Sequence, residues 1–388
     1  MGPAGVCIRR ASARLFGPGG SSRLEPGLVA LGRAGTPSCH KLASEDSAGR
    51  ASSRLGDKER RRRRPAVPCE GRRGTAQHRA LSDRDQSVNE GYIYKEVIDR
   101  RGAGQPVDTY LSGRYTHSTL DQWRRHIAEG RVLLDGSPCA TDATLQPLQR
   151  LEYHRAPWEE PSAPLDLPVL YDHAGVLVVA KPAGLPTMPG GGFLQHTLLH
   201  QVHLLAPSAS PMHRLGRWTS GAVVCARTPQ AGAALTAQFV ARSVHKRYRA
   251  LASGSPDEES FAVAAPIGPV AYPPLGTLHA ATPGGRPASS QFTVLERRNG
   301  CFLADVTIAT GRPHQIRIHA AAEGHPLVGD PLYEAGGKPS PDGTALPGDP
   351  GYRLHAAEVG FVHPTSGEAV RVQARPPSLL QTAAERRR

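Results

Sequence analysis

Two short stretches gather the side chains that could do chemistry. His213-Arg214-Leu215-Gly216-Arg217-Trp218-Thr219-Ser220-Gly221 sets an imidazole, two guanidinium groups and two hydroxyls side by side. Gly311-Arg312-Pro313-His314-Gln315-Ile316-Arg317-Ile318-His319 reads as a helix, with Pro313 near its first turn and Gly324 past its end. His314 and Arg317 are three apart, so they share a face near the positive end of the helix dipole. An arginine there suits an anion, either a carboxylate or a phosphate. Thr219 and Ser220 have no base beside them in sequence, which argues against a hydrolytic nucleophile. His196, His200 and His203 are spaced i, i+4 and i+7 on a predicted helix, a pattern that can hold a metal. No acidic residue completes an H-E-x-x-H arrangement, and no metal is expected. Gly190-Gly191-Gly192 lacks the Gly-Lys-Ser/Thr that a phosphate loop requires.

The elements that must position these residues are short strands joined by turns. Val176-Leu177-Val178-Val179 is an apolar run closed by Pro182 and Gly184, as expected of a buried strand entering a turn. Ala222 to Ala226 and Tyr248 to Ala252 read the same way. Gln291 to Glu296 and Cys301 to Ile308 flank Arg297-Arg298-Asn299-Gly300, a hairpin with Asn-Gly at its tip. Val359 to Val362 and Ala369 to Val372 form a second hairpin around Pro364-Thr365-Ser366-Gly367. Many strands with hairpin links and few helices predict an α+β fold with a mixed, largely antiparallel sheet. The stretch 334–351, dense in Gly and Pro, is predicted as a surface insertion or disordered loop.

Residues 88–158 read as a separate small module ahead of this body (159–380), joined through the proline-rich Pro157 to Pro168. Ser118 suits an N-cap with Asp121 three residues on. Leu120, Trp123 and Ile127 then repeat at helical spacing as a buried stripe. Asp135-Gly136 after Arg131-Val132-Leu133-Leu134 predicts a tight hairpin.

Charge is uneven along the chain of 388 residues. Residues 1–85 hold 18 Lys and Arg against 8 Asp and Glu, so they carry +10 of the total +13. This basic tail (1–87) has no sustained hydrophobic period and is expected to stay poorly ordered. Up to Ser44 its only acidic residue is Glu25, the composition of a chloroplast or mitochondrial transit peptide. Arg60 to Arg64 could instead be a nuclear signal or an RNA-binding arm, and a cytoplasmic chain with an inert tail is the third alternative. Six cysteines without a C-x-x-C pair argue against a zinc ribbon or disulfide scaffold. No apolar run is long enough to span a membrane.

Four stretches, in order, resemble the RluA-type RNA pseudouridine synthases, with particular likeness to the plant branch called RNA pseudouridine synthase five. They are Leu170 to Pro189 with its K-P-x-G-x-P turn, the central motif at His213, Lys246-Arg247-Tyr248-Arg249-Ala250-Leu251, and Gly311 to His319 with Gly324 to Tyr333. The resemblance covers roughly Leu165 to Leu380. It implies an isomerase that turns uridine into pseudouridine in a structured ribosomal or transfer RNA, monomeric and without organic cofactor or metal. It also implies that 88–158 is an S-four-like RNA-binding module, with Arg114, Arg124, Arg125 and Arg131 on phosphates. The flipped uridine would sit among His213, Arg214, Thr219, Tyr248, His314 and Arg317. Tyr248 would lie on the uracil and assist proton removal from carbon 5.

One departure stands out. The family's central motif reads H-R-L-D-x-x-T-S-G, and its aspartate starts the reaction as nucleophile or as base toward the sugar while pairing with the arginine. Gly216 occupies that position here. Losing such a group typically costs about 10^4 to 10^6 in rate. Arg317 is also left without its family partner, and an unpaired buried guanidinium is costly. Asp305 and Asp330 are the replacement acids that the motif regions offer. The alternative is a non-catalytic RNA-binding protein on the same fold.

Overall fold

The computed structural model describes residues 88–115, 117–341 and 343–388, so the transit-peptide and arginine-run expectations lie outside the described residues. The first part comprises β1 (Tyr92–Val97), α1 (Val107–Arg114), α2 (Leu120–Ala128), β2 (Val132–Leu134), β3 (Ser137–Pro138) and β4 (Arg150–Arg155). Its strands pair antiparallel in the order β1-β4-β2-β3. Tyr110 and Leu111 of α1 pack with Trp123 and Ile127 of α2 against Ile98, Val132, Leu145 and Leu151. The helix α2 starts one residue later than the sequence suggests. Thr119 rather than Ser118 caps it, its hydroxyl accepting from the Gln122 N–H while the Gln122 side chain accepts from the Thr119 N–H. Only the third residue after the cap reaches back in this way, which excludes Asp121. Asp135 and Gly136 take positive φ values of 50° and 84°, the primed turn their sequence predicts.

The segment from Pro157 to Pro168 is anchored rather than free. Glu160 is buried and accepts hydrogen bonds from the Leu194, Gln195 and His196 N–H groups and from Asn89 Nδ2. Burial alone would raise its carboxyl, but these donors win and hold it below the usual carboxylate range.

The body then runs through β5 (Val169–His173), β6 (Val176–Lys181), α3 (Leu198–Leu205), β7 (Ser210–Pro211), β8 (Ser220–Ala226), α4 (Pro229–Val240), β9 (His245–Ser253) and β10 (Ser260–Val263). It continues with the hairpin β11 (Ile267–Tyr272) and β12 (Gly276–Ala281), then β13 (Ser290–Arg298), β14 (Cys301–Ile308) and α5 (Gln315–Ala322). Last come the small hairpin β15 (Tyr333–Glu334) and β16 (Lys338–Pro339), then β17 (Leu354–Val362), β18 (Ala369–Gln373) and α6 (Ala383–Arg386). One sheet takes the order β10-β13-β14-β9-β17-β8-β6-β5, with β18 on β17 and β7 on β8. The predicted mixed, largely antiparallel α+β architecture is the one observed. Period-two alternation splits the core: Leu177, Val179, Val223, Cys225 and Tyr248 face α3 and α5, whereas Val176, Val178, Ala222 and Val224 face α4. The Asn299-Gly300 hairpin is tighter than predicted, because Arg297 and Arg298 belong to β13.

The strands β17 and β8 are the single parallel pair among the described residues, with His355 opposite Ser220 and Ala356 opposite Gly221. Gly221 has φ +112°, and a Cβ there would collide with the Ala356 carbonyl. The terminal glycine of the central motif is therefore a packing requirement. Replacing Gly221 with Ala combines a strained φ with overpacking and is expected to cost about 2–5 kcal/mol, read as a lowered urea midpoint with unchanged slope.

At the other end of the chain, Arg249 on β9 is buried and pairs with Asp305 and Glu385. The Arg249 hydrogen bonds lead in drawing Glu385 from its ordinary 4.5 to about 2. A depressed carboxylate contributes stability above its unfolded value and loses it as pH falls through the folded one. The docking of α6 should thus hold above pH 4.5 and weaken between there and 2. The variant Glu385→Gln should flatten that acid limb in pH-dependent melting.

Candidate active site

The site is built where loops enter neighbouring strands at one edge of the sheet. Lys181, at the end of β6, is 1% exposed, and its Nζ donates to the carbonyls of Pro182, Leu185 and Arg217 at 2.9, 2.7 and 2.9 Å. Burial, helped by Arg217, pulls the amine down to about 7. Three carbonyl acceptors require the ammonium form, so this lysine clamps the K-P-x-G-x-P turn to the central loop. Thr187 adds a second clamp, its hydroxyl donating to the Leu215 carbonyl at 2.9 Å.

His213 faces away from this edge. Its Nε2 accepts from the Val224 N–H at 3.1 Å, and its ring centroid lies 5.3 Å from that of Phe239. Burial, with Lys246 nearby, lowers it to about 4, so it is neutral at pH 7 and its proton sits on Nδ1. Arg214 is exposed, and its charge reaches His279 and His314. His314 caps α5 in the left-handed region, φ 55°, and the helix proper begins at Gln315. Pro313 therefore lies outside the first turn, contrary to the sequence reading. The Tyr333 hydroxyl donates to the His279 carbonyl at 2.7 Å and meets His314 Nδ1 at 2.8 Å. A phenol has one proton to give, so His314 Nδ1 must carry its own and Nε2 is left as an acceptor. Burial and the Arg317 charge hold His314 near 3, in the neutral form.

Arg317 finds its partner within its own motif region. Its side chain is 3% exposed, and it makes a bidentate pair with Asp330, Nε and Nη2 at 2.7 and 2.6 Å. The Asp330 side chain is 1% exposed and also accepts from the Leu332 and Tyr333 N–H groups. The arginine thus has a resident carboxylate, supplied by one of the two acids that the motif regions offer in place of the missing aspartate. Asp305 does not reach the site. It pairs across the ladder with Arg249, while its neighbour Val306 pairs with Tyr248, so the pleat sends Asp305 to the opposite face. The guanidinium carbon of Arg317 lies 4.1 Å from the Tyr352 ring centroid and 5.1 Å from that of Tyr333. Its Nη1 is buried without a hydrogen-bond partner among the described residues.

Gly216 is exposed, and Tyr352 fills the space beside it. A Cβ at Gly216 would stand 2.7 Å from the Tyr352 hydroxyl, which itself lies 3.2 Å from Thr219 Oγ1. Tyr352 is 3% exposed and packs in one apolar cluster with Tyr248, Leu215 and Ile316. Burial pushes the Tyr248 phenol up to about 12, so it is a neutral hydroxyl. The structure thus brings Thr219, Tyr248, Arg317 and the Gly216 loop together, sets His314 and Arg214 beside them, and turns His213 inward to the sheet.

Tyr352 escaped the sequence reading because it follows 334–351, taken there as an insertion. Its described residues contribute to the β15–β16 hairpin and return to the central motif, where Trp218 Nε1 donates to the Gly348 carbonyl at 2.8 Å. The Gly-Tyr pair just ahead of a long apolar strand was the available signal. The predicted histidine triad is broken, since His196 precedes the N-cap Thr197 and its Nδ1 meets the Pro161 carbonyl. In the first module, Arg114, Arg124 and Arg131 pair with Glu96, Asp108 and Glu129, while Arg125 is exposed. No helix among the described residues is long and apolar enough to cross a membrane.

Loops entering β8 and β17 thus gather beside a buried arginine, two buried tyrosines and a half-buried imidazole. The chain matches the RNA pseudouridylate synthase family over residues 175–322. It is 40% identical to an uncharacterized RNA pseudouridine synthase of Synechocystis sp., covering 70% of this chain and 94% of that one. It is 37% identical to RNA pseudouridine synthase 5 of Arabidopsis thaliana, over 77% and 96% of the two chains. A solved structure of human RNA pseudouridylate synthase domain containing 1 aligns at 26% identity and a TM-score of 0.45, over 58% and 94% of the two chains. The chain belongs to the RNA pseudouridine synthase family.

Breaking a buried ion pair from one side typically costs about 3–5 kcal/mol. Asp330→Asn is therefore expected to lower the urea-unfolding free energy by that order and to lower activity with it. Asp305→Asn, on the other face, should leave turnover within about threefold of wild type while weakening the α6 dock.

Proposed function

We propose that this chain isomerises uridine to pseudouridine in a structured RNA, with ribosomal RNA the favoured substrate class. The reaction breaks the bond from uracil nitrogen to ribose, turns the base and rejoins it through carbon 5, so it is redox-neutral and no cofactor is invoked. The observation that carries the reading is Arg317: a guanidinium pinned by Asp330 between two tyrosines, with one buried N–H group unused. An unsatisfied buried donor is costly unless a ligand meets it. A uracil carbonyl or a ribose oxygen of a flipped nucleotide supplies such an acceptor. Tyr248 offers a flat neutral ring in the same cluster, and His314 Nε2 offers an acceptor. For the substrate class, a relative that is 34% identical, over 78% of this chain and 94% of its own, is named ribosomal large subunit pseudouridine synthase D, from Xanthomonas campestris.

The small module, residues 88–158, fits an S-four-like role in this reading. Two helices and a short hairpin present Arg114, Arg124, Arg125 and Arg131, and three of these would exchange a carboxylate partner for an RNA phosphate. The test uses a large-subunit ribosomal RNA transcript and a transfer RNA pool, each labelled with tritium at uridine carbon 5. Wild type should release tritium, Arg317→Met should release none above background, and affinity should fall steeply with salt. Salt-dependent RNA binding without tritium release from either substrate would establish the non-catalytic alternative.

A further inference from the structure

We infer that the Tyr352 hydroxyl takes the place of the missing carboxylate as the group that works on the ribose, which rests on the synthase reading above. The argument is positional. The distance from a Gly216 Cβ to the Tyr352 hydroxyl, 2.7 Å, is close to the span from an aspartate Cβ to its own carboxylate oxygens. The phenol oxygen therefore stands where the side chain of the family motif would deliver one. It arrives from the loop that leads into β17, and its ring stacks on the same arginine, 4.1 Å away, that the family carboxylate pairs with. The Thr219 hydroxyl lies 3.2 Å from that oxygen and can share its proton. The unpartnered Arg317 Nη1 points independently to a ligand in the same place.

In this role the Tyr352 hydroxyl first gives up its proton to solvent, and its oxygen then works as the base. It takes the proton from ribose carbon 2′ as the bond from carbon 1′ to uracil nitrogen 1 breaks and leaves its electron pair on the base. A double bond between carbons 1′ and 2′ results, and the uracil anion turns within the cleft. Tyr352 then returns its proton to carbon 2′ while uracil carbon 5 bonds to carbon 1′. Carbon 5 finally loses its hydrogen to solvent, nitrogen 1 gains a proton, and the phenolate is restored. No oxidant or co-reactant enters.

The replacement also explains why an aspartate cannot simply be restored: its side chain would meet the Tyr352 hydroxyl. The experiment compares wild type, Tyr352→Phe, Gly216→Asp and the double variant Gly216→Asp/Tyr352→Phe. Each is assayed for tritium release from the labelled transcripts, for RNA affinity and for thermal melting. The phenylalanine variant keeps the ring on Arg317 and deletes one oxygen. Turnover should fall about 10^3-fold with affinity and melting held near wild type, and it should recover at least tenfold in the double variant, where the carboxylate has room. Tyr352→Phe turning over within tenfold of an active wild type would overturn the assignment and leave the synthase reading standing. Wild type silent on every labelled RNA would instead remove the synthase reading itself.

Discussion

The parallel contact between β8 and β17, closed at Gly221 against Ala356, decides which residues of this chain can meet. Two parallel neighbours are entered from the same edge of the sheet. With His355 opposite Ser220, the segment 216–219 leads into β8 beside the point where 352–353 lead into β17, and Thr219 Oγ1 meets the Tyr352 hydroxyl there at 3.2 Å. The loop carrying Gly216 and the return carrying Tyr352 are thus forced together by register. The antiparallel partner β9 sets Tyr248 beside Ala356 in the same ladder. A side chain at position 221 would meet the Ala356 backbone and part these strands.

Electrostatics explains how such a site tolerates glycine where its family carries an acid. A buried arginine needs a carboxylate or it destabilises the fold. Asp330, held by two backbone N–H groups in the turn after α5, meets that need from within the same motif. The structural task of an aspartate at 216, neutralising Arg317, is therefore already discharged. Its chemical task is separable, and the space it would occupy is filled by a phenol oxygen rather than left as a void.

Much of the fold was legible in the chain. The apolar runs at 176–179, 222–226 and 248–252 are strands because their neighbours on both faces are apolar, and Asp135-Gly136 turns as its chemistry requires. The small motif residues were legible too, although their tasks were less so. His213 looks like a binding residue in sequence, yet its ring nitrogen is spent on the Val224 N–H. Asp305 and Asp330 look equivalent as candidate acids, and only the pleat of β14 separates them.

Local order determined that Arg317 sits one turn into a helix, that Gly216 interrupts a motif and that an α+β sheet would carry both, because periodicity, turns and caps act between near neighbours. Tertiary structure decided what fills the gap. Tyr352 lies 136 residues from Gly216 in the numbering, and the Gly-Tyr pair ahead of its strand does not tell which loop it will meet, since that follows from β17 packing beside β8. Contacts of that kind arise only when the chain has closed on itself, which is why the substitute for a missing side chain is found in the packing and not in the motif.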